Sequence, residues 1–241
     1  MILLVDVGNT ALKTALFDGS KISLCSFDEL DWSCISTVIY SHVATTKQLT
    51  HLLEIANAKN IPAFKAVVSK ECAGVNCGYE NYHTLGIDRW LVVLACAKEF
   101  TTEKQDIIII DSGTATTVDI VSDKKQHLGG WILPGLDLMV DSIASRAEKV
   151  FVNDKTPFQS DFGENTPAAL KNGCLVSTIG AIQYAISLLD NDPLLVFAGG
   201  YGAFLKEKIT LKLNQQAIYN DDLIFKGLLV WYQNEVNDIN T

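Results

Sequence analysis

The sequence predicts an α/β fold built from two similar lobes, each a mixed β-sheet flanked by helices. Three observations lead there. First, a turn is repeated: Asp6-Val7-Gly8-Asn9-Thr10 follows the aliphatic run Ile2-Leu3-Leu4-Val5, and Asp111-Ser112-Gly113-Thr114 follows Ile107-Ile108-Ile109-Ile110. Aligning Asp6 with Asp111 sets Gly8 on Gly113 and Asn9 on Thr114, the mark of a duplicated half. Second, a β-favouring stretch follows each turn, Thr14-Ala15-Leu16-Phe17 and Val118-Asp119-Ile120-Val121, so each half opens as an antiparallel meander. Third, helical periods and further strands alternate after each meander, as layered α/β architectures require.

Taken in order, strands are expected at 2–6, 11–17 and 21–27, joined by the Gly8 turn and Asp18-Gly19, with a fourth at 37–42. Leu49, Leu52, Leu53 and Ala56 fall at helical spacing over 46–59, and Pro62 precedes a strand at 63–68. Residues 70–87 have no clear period and contain Gly74, Gly78 and Gly86, so they read as a loop able to line a pocket. An amphipathic helix over 88–100 offers Trp90, Leu91, Leu94, Ala95 and Ala97 to the core. The meander recurs at 106–111, 116–122 and 126–133, and Pro134-Gly135 opens a helix over 136–149. Residues 151–164 are irregular; a long helix over 166–189 carries Pro167 in its first turn. Leu194–Ala198 reads as a buried strand, Gly199-Gly200-Tyr201-Gly202 leads into a short helix, and a last helix covers roughly 222–238. No Pro/Ser-rich linker separates the halves, so lobes 1–104 and 105–241 are expected to share an interface.

Composition narrows the function. The 241 residues are 48% hydrophobic and 20% charged, with a net charge of −9, which weighs against nucleic acid as a partner. A nucleotide whose phosphates are neutralised by Mg²⁺ and local amides remains compatible. The N-terminus begins a strand without a basic leader region, and no apolar run approaches the roughly 18 residues of a membrane span. A cytoplasmic protein with no membrane partner is expected. Cys25, Cys34, Cys72, Cys77, Cys96 and Cys174 are scattered with no Cys-x-x-Cys pair, and Cys72-x4-Cys77 with His83 lacks a fourth zinc ligand. Free thiols in a reducing compartment fit better.

The repeated turns carry the first chemistry. Glycine at the third position lets backbone N–H groups approach an anion. The Asp and the Asn or Thr beside it offer oxygens to hydrated Mg²⁺, or hydroxyl and amide contacts to phosphate. One such turn also describes an ordinary hairpin; two, facing each other across a cleft, would hold a polyphosphate from both sides. Asp88-Arg89, after Gly86-Ile87, admits two readings. It is a surface ion pair at a helix start, or a carboxylate that accepts the proton of an attacking hydroxyl during phosphoryl transfer. Residue types and spacing alone reach a nucleotide-dependent phosphotransferase.

The twin loops resemble those of the actin, Hsp70 and sugar-kinase superfamily, which implies actin-like (ribonuclease H-like) lobes around a nucleotide cleft. A sharper match lies in five motifs taken in order: Asp-Val-Gly-Asn-Thr-x-x-Lys (6–13), Gly-Ile-Asp-Arg (86–89), Asp-Ser-Gly-Thr-Ala-Thr-Thr (111–117), His-Leu-Gly-Gly-Trp-Ile-Leu-Pro-Gly (127–135) and Phe-Gly-Glu-Asn-Thr (162–166). Together they resemble the type III pantothenate kinase family, from the N-terminus through Gly200. The resemblance implies ATP-dependent phosphorylation of pantothenate to 4′-phosphopantothenate, which opens coenzyme A biosynthesis.

It further implies roles residue by residue. Asp88 is the base, and Gly86, Ile87, Asp88 and Arg89 form the pantothenate motif. Arg89 holds either the substrate carboxylate or the transferring phosphoryl group. Tyr79, nine residues before Asp88, matches a substrate-binding tyrosine, although many relatives have Pro where this chain has Tyr82. Thr166 contacts pantothenate. Asp6, Val7, Gly8, Asn9, Thr10 and Lys13 form the first ATP loop, and Thr114 contacts ATP from the second. Asp111 ligates a monovalent cation, K⁺ or NH₄⁺; Asp6 serves Mg²⁺ directly or through water. Gly199-Gly200 resembles an adenosine loop, and a homodimer sharing its substrate pocket is implied.

Plainer readings stand beside these. Tyr79 would be a loop aromatic on the core, Lys13 a solvated strand residue, and Thr166 the N-cap of the long helix. His127 reads as a structural hydrogen-bonding residue. A non-catalytic nucleotide-binding regulator on the same scaffold is the alternative function; intact Asp6, Asp88, Arg89, Asp111 and Thr114 argue against it. A phosphatase or ATPase of the same superfamily would leave the 70–89 segment surplus.

Overall fold

The computed structural model describes all residues except 9–10, 45, 102–104, 148, 212–214 and 238–241. Asn9 and Thr10 of the first loop thus lie outside the described residues. The chain runs through β1 (Ile2–Val7), β2 (Leu12–Phe17), β3 (Ile22–Cys25), β4 (Thr37–His42), α1 (Lys47–Ala58), β5 (Ala63–Lys65), β6 (Glu71–Cys72), β7 (Val75–Asn76) and α2 (Ile87–Phe100). It continues through β8 (Ile107–Ser112), β9 (Ala115–Val121), β10 (His127–Pro134), α3 (Leu136–Ala144), α4 (Thr166–Ser187), β11 (Leu194–Ala198), α5 (Gly202–Lys208), β12 (Ala217–Tyr219) and α6 (Leu223–Tyr232).

Two five-stranded sheets share one strand order, β3-β2-β1-β4-β5 and β10-β9-β8-β11-β12. In each, the first aliphatic strand pairs antiparallel with the strand after its glycine turn and parallel with a later one. The register carries the duplication to the residue: Asp6 lies beside Ser41 of β4, and Asp111 beside Ala198 of β11.

The first compact unit comprises Met1–Thr101, Lys124–Leu128 and Asp221–Thr241. Leu3, Val5 and Val7 alternate onto one face of its sheet, where Leu49, Leu52 and Ala56 of α1 cover them. Period two turns Leu4 and Asp6 to the other face. Helix α2 is buried almost all round, from Arg89 to Ala97, because α6 packs along it and also touches β1 and β4. The expected second lobe, 105–241, therefore loses its last helix to the first unit. Periodicity identifies α6 as apolar but cannot say which core receives it.

The second unit comprises Thr102–Asp123 and Gly129–Asn220. Ile108, Ile110, Val118, Leu195 and Phe197 of its sheet pack against Leu136 of α3, Leu175, Ile182 and Ile186 of α4, and Leu205 of α5. Other departures from expectation are local. Helix α3 stops at Ala144 rather than 149, since helix-forming Arg146 and Lys149 are a weak prior that the following turn overrides. The 70–87 loop contains the β6–β7 hairpin, and β12 is too short to show a period.

Candidate active site

In the first unit the sheet sets Asp6 at the end of β1, with Lys13 opposite on β2 and Ser41 opposite on β4. Ser41 Oγ donates to Asp6 Oδ1 at 2.8 Å. Burial pushes the Asp6 carboxyl above the ordinary carboxylate value; the nearby Asp88 charge adds to this, while the Ser41 hydroxyl and Lys13 pull it down. Lys13, from the same hairpin, and the sequence-distant Asp88 are thus within electrostatic reach of Asp6. Asp6 and Asp88 are both partly buried, and the Asp88 charge disfavours the ionised form of Asp6.

Asp88 lies in the first turn of α2, whose N-cap is Gly86. Its Oδ1 accepts the Arg89 backbone N–H at 2.9 Å. A Cβ on Gly86 would lie 2.5 Å from that oxygen, so the absent side chain keeps room for the carboxylate. Arg89 is buried, and its Nη1 donates to Tyr79 Oη at 2.9 Å, with the guanidinium carbon 5.6 Å from the Tyr79 ring centre. Tyr79 in turn stacks on His127, rings 6.0 Å apart and 17° from parallel.

In the second unit the turn after β8 is closed by Gly113 N–H donating to Ala115 O, and Gly135 N–H donates to Thr114 O. Gly199 follows β11 with φ +78; a Cβ there would fall 2.4 Å from Asp111 Oδ1 and 2.5 Å from the Ser112 carbonyl oxygen. Only glycine fits this crowded, oxygen-rich corner. A cavity of about 470 Å³ opens beside it, lined by Gly113, Thr114, Asp137, Asp141, Gly200 and Tyr201 among others. Tyr201 Oη donates to both Asp137 oxygens, at 2.8 and 2.9 Å, and burial together with that carboxylate pushes the phenol up to about 12.

Thr166 is exposed and lines a separate cavity of about 410 Å³ with Ile143, Val150, Asn165 and Leu170. It is the first residue of α4 and not its cap: Asn165 Oδ1 accepts the Ala168 N–H at 3.0 Å. The cap expected of Thr166 is therefore supplied by its neighbour. Among the described residues, no three His, Cys, Asp or Glu side chains converge as a metal cluster.

Sequence reading missed Ser41, His127, Tyr201 and Asp137 as parts of these sites. Ser41 was findable in principle, since a β4 pairing parallel to β1 brings it beside Asp6; the others carry no spacing signal.

The family model of type III pantothenate kinase matches residues 23–187. A type III pantothenate kinase of Pseudoalteromonas translucida is 42% identical over 238 residues, spanning 98% of each chain. The chain belongs to the type III pantothenate kinase family. Among solved structures, a protein of Campylobacter jejuni assigned to the Baf family of transcriptional activators is similar at 27% identity and TM-score 0.58, covering 99% of this chain and 100% of its own. A Sinorhizobium meliloti protein assigned as a 2-dehydro-3-deoxygalactonokinase shares the fold, at 13% identity and TM-score 0.57 over 97% of this chain and 98% of its own. The type III pantothenate kinase architecture here is accordingly the duplicated α/β, actin-like one. The span matched by the type III pantothenate kinase model holds Asp88, Arg89, Asp111, Thr114 and Thr166, while Asp6 and Lys13 precede it.

Proposed function

We propose that the chain transfers the γ-phosphoryl group of ATP to the primary hydroxyl of pantothenate, giving 4′-phosphopantothenate in the first step of coenzyme A biosynthesis. The observation that carries the reading is the meeting of Asp6, Ser41 and Asp88 beside Lys13, with Gly86 leaving room for the Asp88 carboxylate. In a family whose members are named for this reaction, that cluster supplies what the chemistry needs.

Asp88 accepts the hydroxyl proton as the oxygen attacks the γ-phosphorus and the bond to the ADP oxygen breaks. Arg89, buried and braced by Tyr79, offers its guanidinium to the pantothenate carboxylate or to the transferring phosphoryl group. Ile87 shapes the same motif, and Thr166 contributes a hydroxyl to pantothenate. The loop from Asp6 through Val7, Gly8, Asn9 and Thr10 to Lys13 contacts ATP, as do Thr114 and the Gly199-Gly200 turn.

A divalent ion fits Asp6, because Mg²⁺ is commonly held by one or two carboxylates, phosphate oxygens and water rather than a full protein cage. Asp6 would hold such an ion as the ionised carboxylate, and the ion would supply neutralisation of phosphate charge there. K⁺ or NH₄⁺ fits Asp111 and the Ser112 carbonyl, the oxygens crowding Gly199. The enzyme would work as a cytoplasmic homodimer. The test is ADP release in KCl with and without pantothenate; release indifferent to pantothenate would end this reading.

A further inference from the structure

We infer that His127 is a positioning residue for the pantothenate pocket, holding the Tyr79 ring and, through it, the Arg89 guanidinium. The inference rests on the kinase reading above. Tyr79 lies on an irregular stretch between β7 and α2, where the local backbone does not fix its ring. His127 is fully buried. Its segment, 124–128, is tied to β7: Asn76 N–H donates to Lys125 O at 3.2 Å, and Gln126 Nε2 donates to Asn76 O at 3.2 Å. The His127 ring is therefore a fixed wall, and Tyr79 stacks on it in an offset, near-parallel geometry. The outer edge of Tyr79 then presents Oη to Arg89 Nη1. Arg89 directly follows Asp88 in the first turn of α2, so Tyr79 braces a substrate-binding guanidinium one residue from the proposed base.

The competing account makes His127 a core residue whose ring nitrogens serve buried polar groups, the Gly78 N–H among them. That hydrogen bond, to Nδ1, is 3.4 Å long, at the weak end of the range. The two roles separate in two variants. H127F keeps a ring and loses the acceptor; H127Q keeps an acceptor and loses the ring. Steady-state kinetics of both, with melting curves, decide between them. We expect H127F to keep KM for pantothenate within about twofold of wild type, since the stack survives. H127Q should raise that KM roughly three- to tenfold, the worth of an aromatic pair, with kcat and KM for ATP unchanged. The reverse order of the variants, equal KM values for all three proteins, or loss of folding in both variants would each overturn the inference. A wild-type protein that turns over pantothenate beside an unaltered H127Q sinks only this inference. A wild type inert toward pantothenate sinks the kinase reading itself.

Discussion

Ser41 Oγ donates to Asp6 Oδ1 at 2.8 Å across two adjacent parallel strands. The hydroxyl sustains an ionised carboxylate that burial and the Asp88 charge both oppose. The duplicated position in the second sheet, beside Asp111, is held by Ala198, and there Asp111 Oδ1 and the Ser112 carbonyl oxygen both crowd Gly199. The two halves thus share a strand order and differ in the residue set beside the aspartate.

Asp6→Asn tests the electrostatics of the first site. The folded protein holds the Asp6 proton more tightly than the unfolded chain, whose value is near 3.8. Ionised Asp6 therefore costs stability above its raised folded value, and that cost disappears as pH falls through it. The variant, which retains an acceptor for Ser41, should melt higher than wild type at about pH 7, with the gap closing toward about pH 4. A variant that melts lower at neutral pH would contradict this. Catalysis should be lost at either pH.

Ser41→Ala removes the influence that lowers Asp6. The acid limb of kcat/KM for ATP should move to higher pH, because the metal-serving carboxylate must be ionised. KM for MgATP should rise on the order of tenfold, the worth of a hydrogen bond to a charged group. A pH profile superimposable on wild type would remove Ser41 from the site.

Gly86→Ala is expected to separate activity from stability. The backbone φ of −61 suits alanine, but the new Cβ meets Asp88 Oδ1. The melting temperature should hardly change while kcat falls on the order of a hundredfold, since small misplacements of a reacting group are that costly. Full activity would mean that the Asp88 carboxylate does not need its observed position.

The cation proposal rests on the corner formed by Asp111, Ser112 and Gly199. Asp111→Asn should abolish the response of activity to KCl while the fold persists. Gly199→Ala should abolish it too, and also cost roughly 1–3 kcal/mol, because φ +78 and the two oxygens both reject a side chain. Denaturant melts and a KCl titration of each variant check this; an undiminished KCl response in Asp111→Asn would contradict it.

Much of this was legible because it is local. The aliphatic runs before Asp6 and Asp111, the glycine turns and the alternation after them place both meanders within a residue or two of β1–β2 and β8–β9. Gly86-Ile87-Asp88-Arg89 announced a helix start, and α2 begins there. What escaped depends on partners distant in sequence. Trp231 and Phe225 of α6 look alike whether they meet α2 or the second sheet. Asn165 outcompeted Thr166 as cap because an amide oxygen one residue earlier reaches Ala168 N–H. His127 lay inside a recognised motif, yet its stack on Tyr79 needs the contact of segment 124–128 with β7, which no spacing announces.

The most direct test of the whole account is formation of 4′-phosphopantothenate, followed by mass spectrometry, from ATP, Mg²⁺, KCl and pantothenate by wild type and Asp88→Asn. Wild type should make the product, and the variant, folded with its Arg89 N–H still accepted by the amide oxygen, should make it about 10²–10⁴ times more slowly. A folded Asp88→Asn protein working at near the wild-type rate would contradict the assignment of Asp88 as the base.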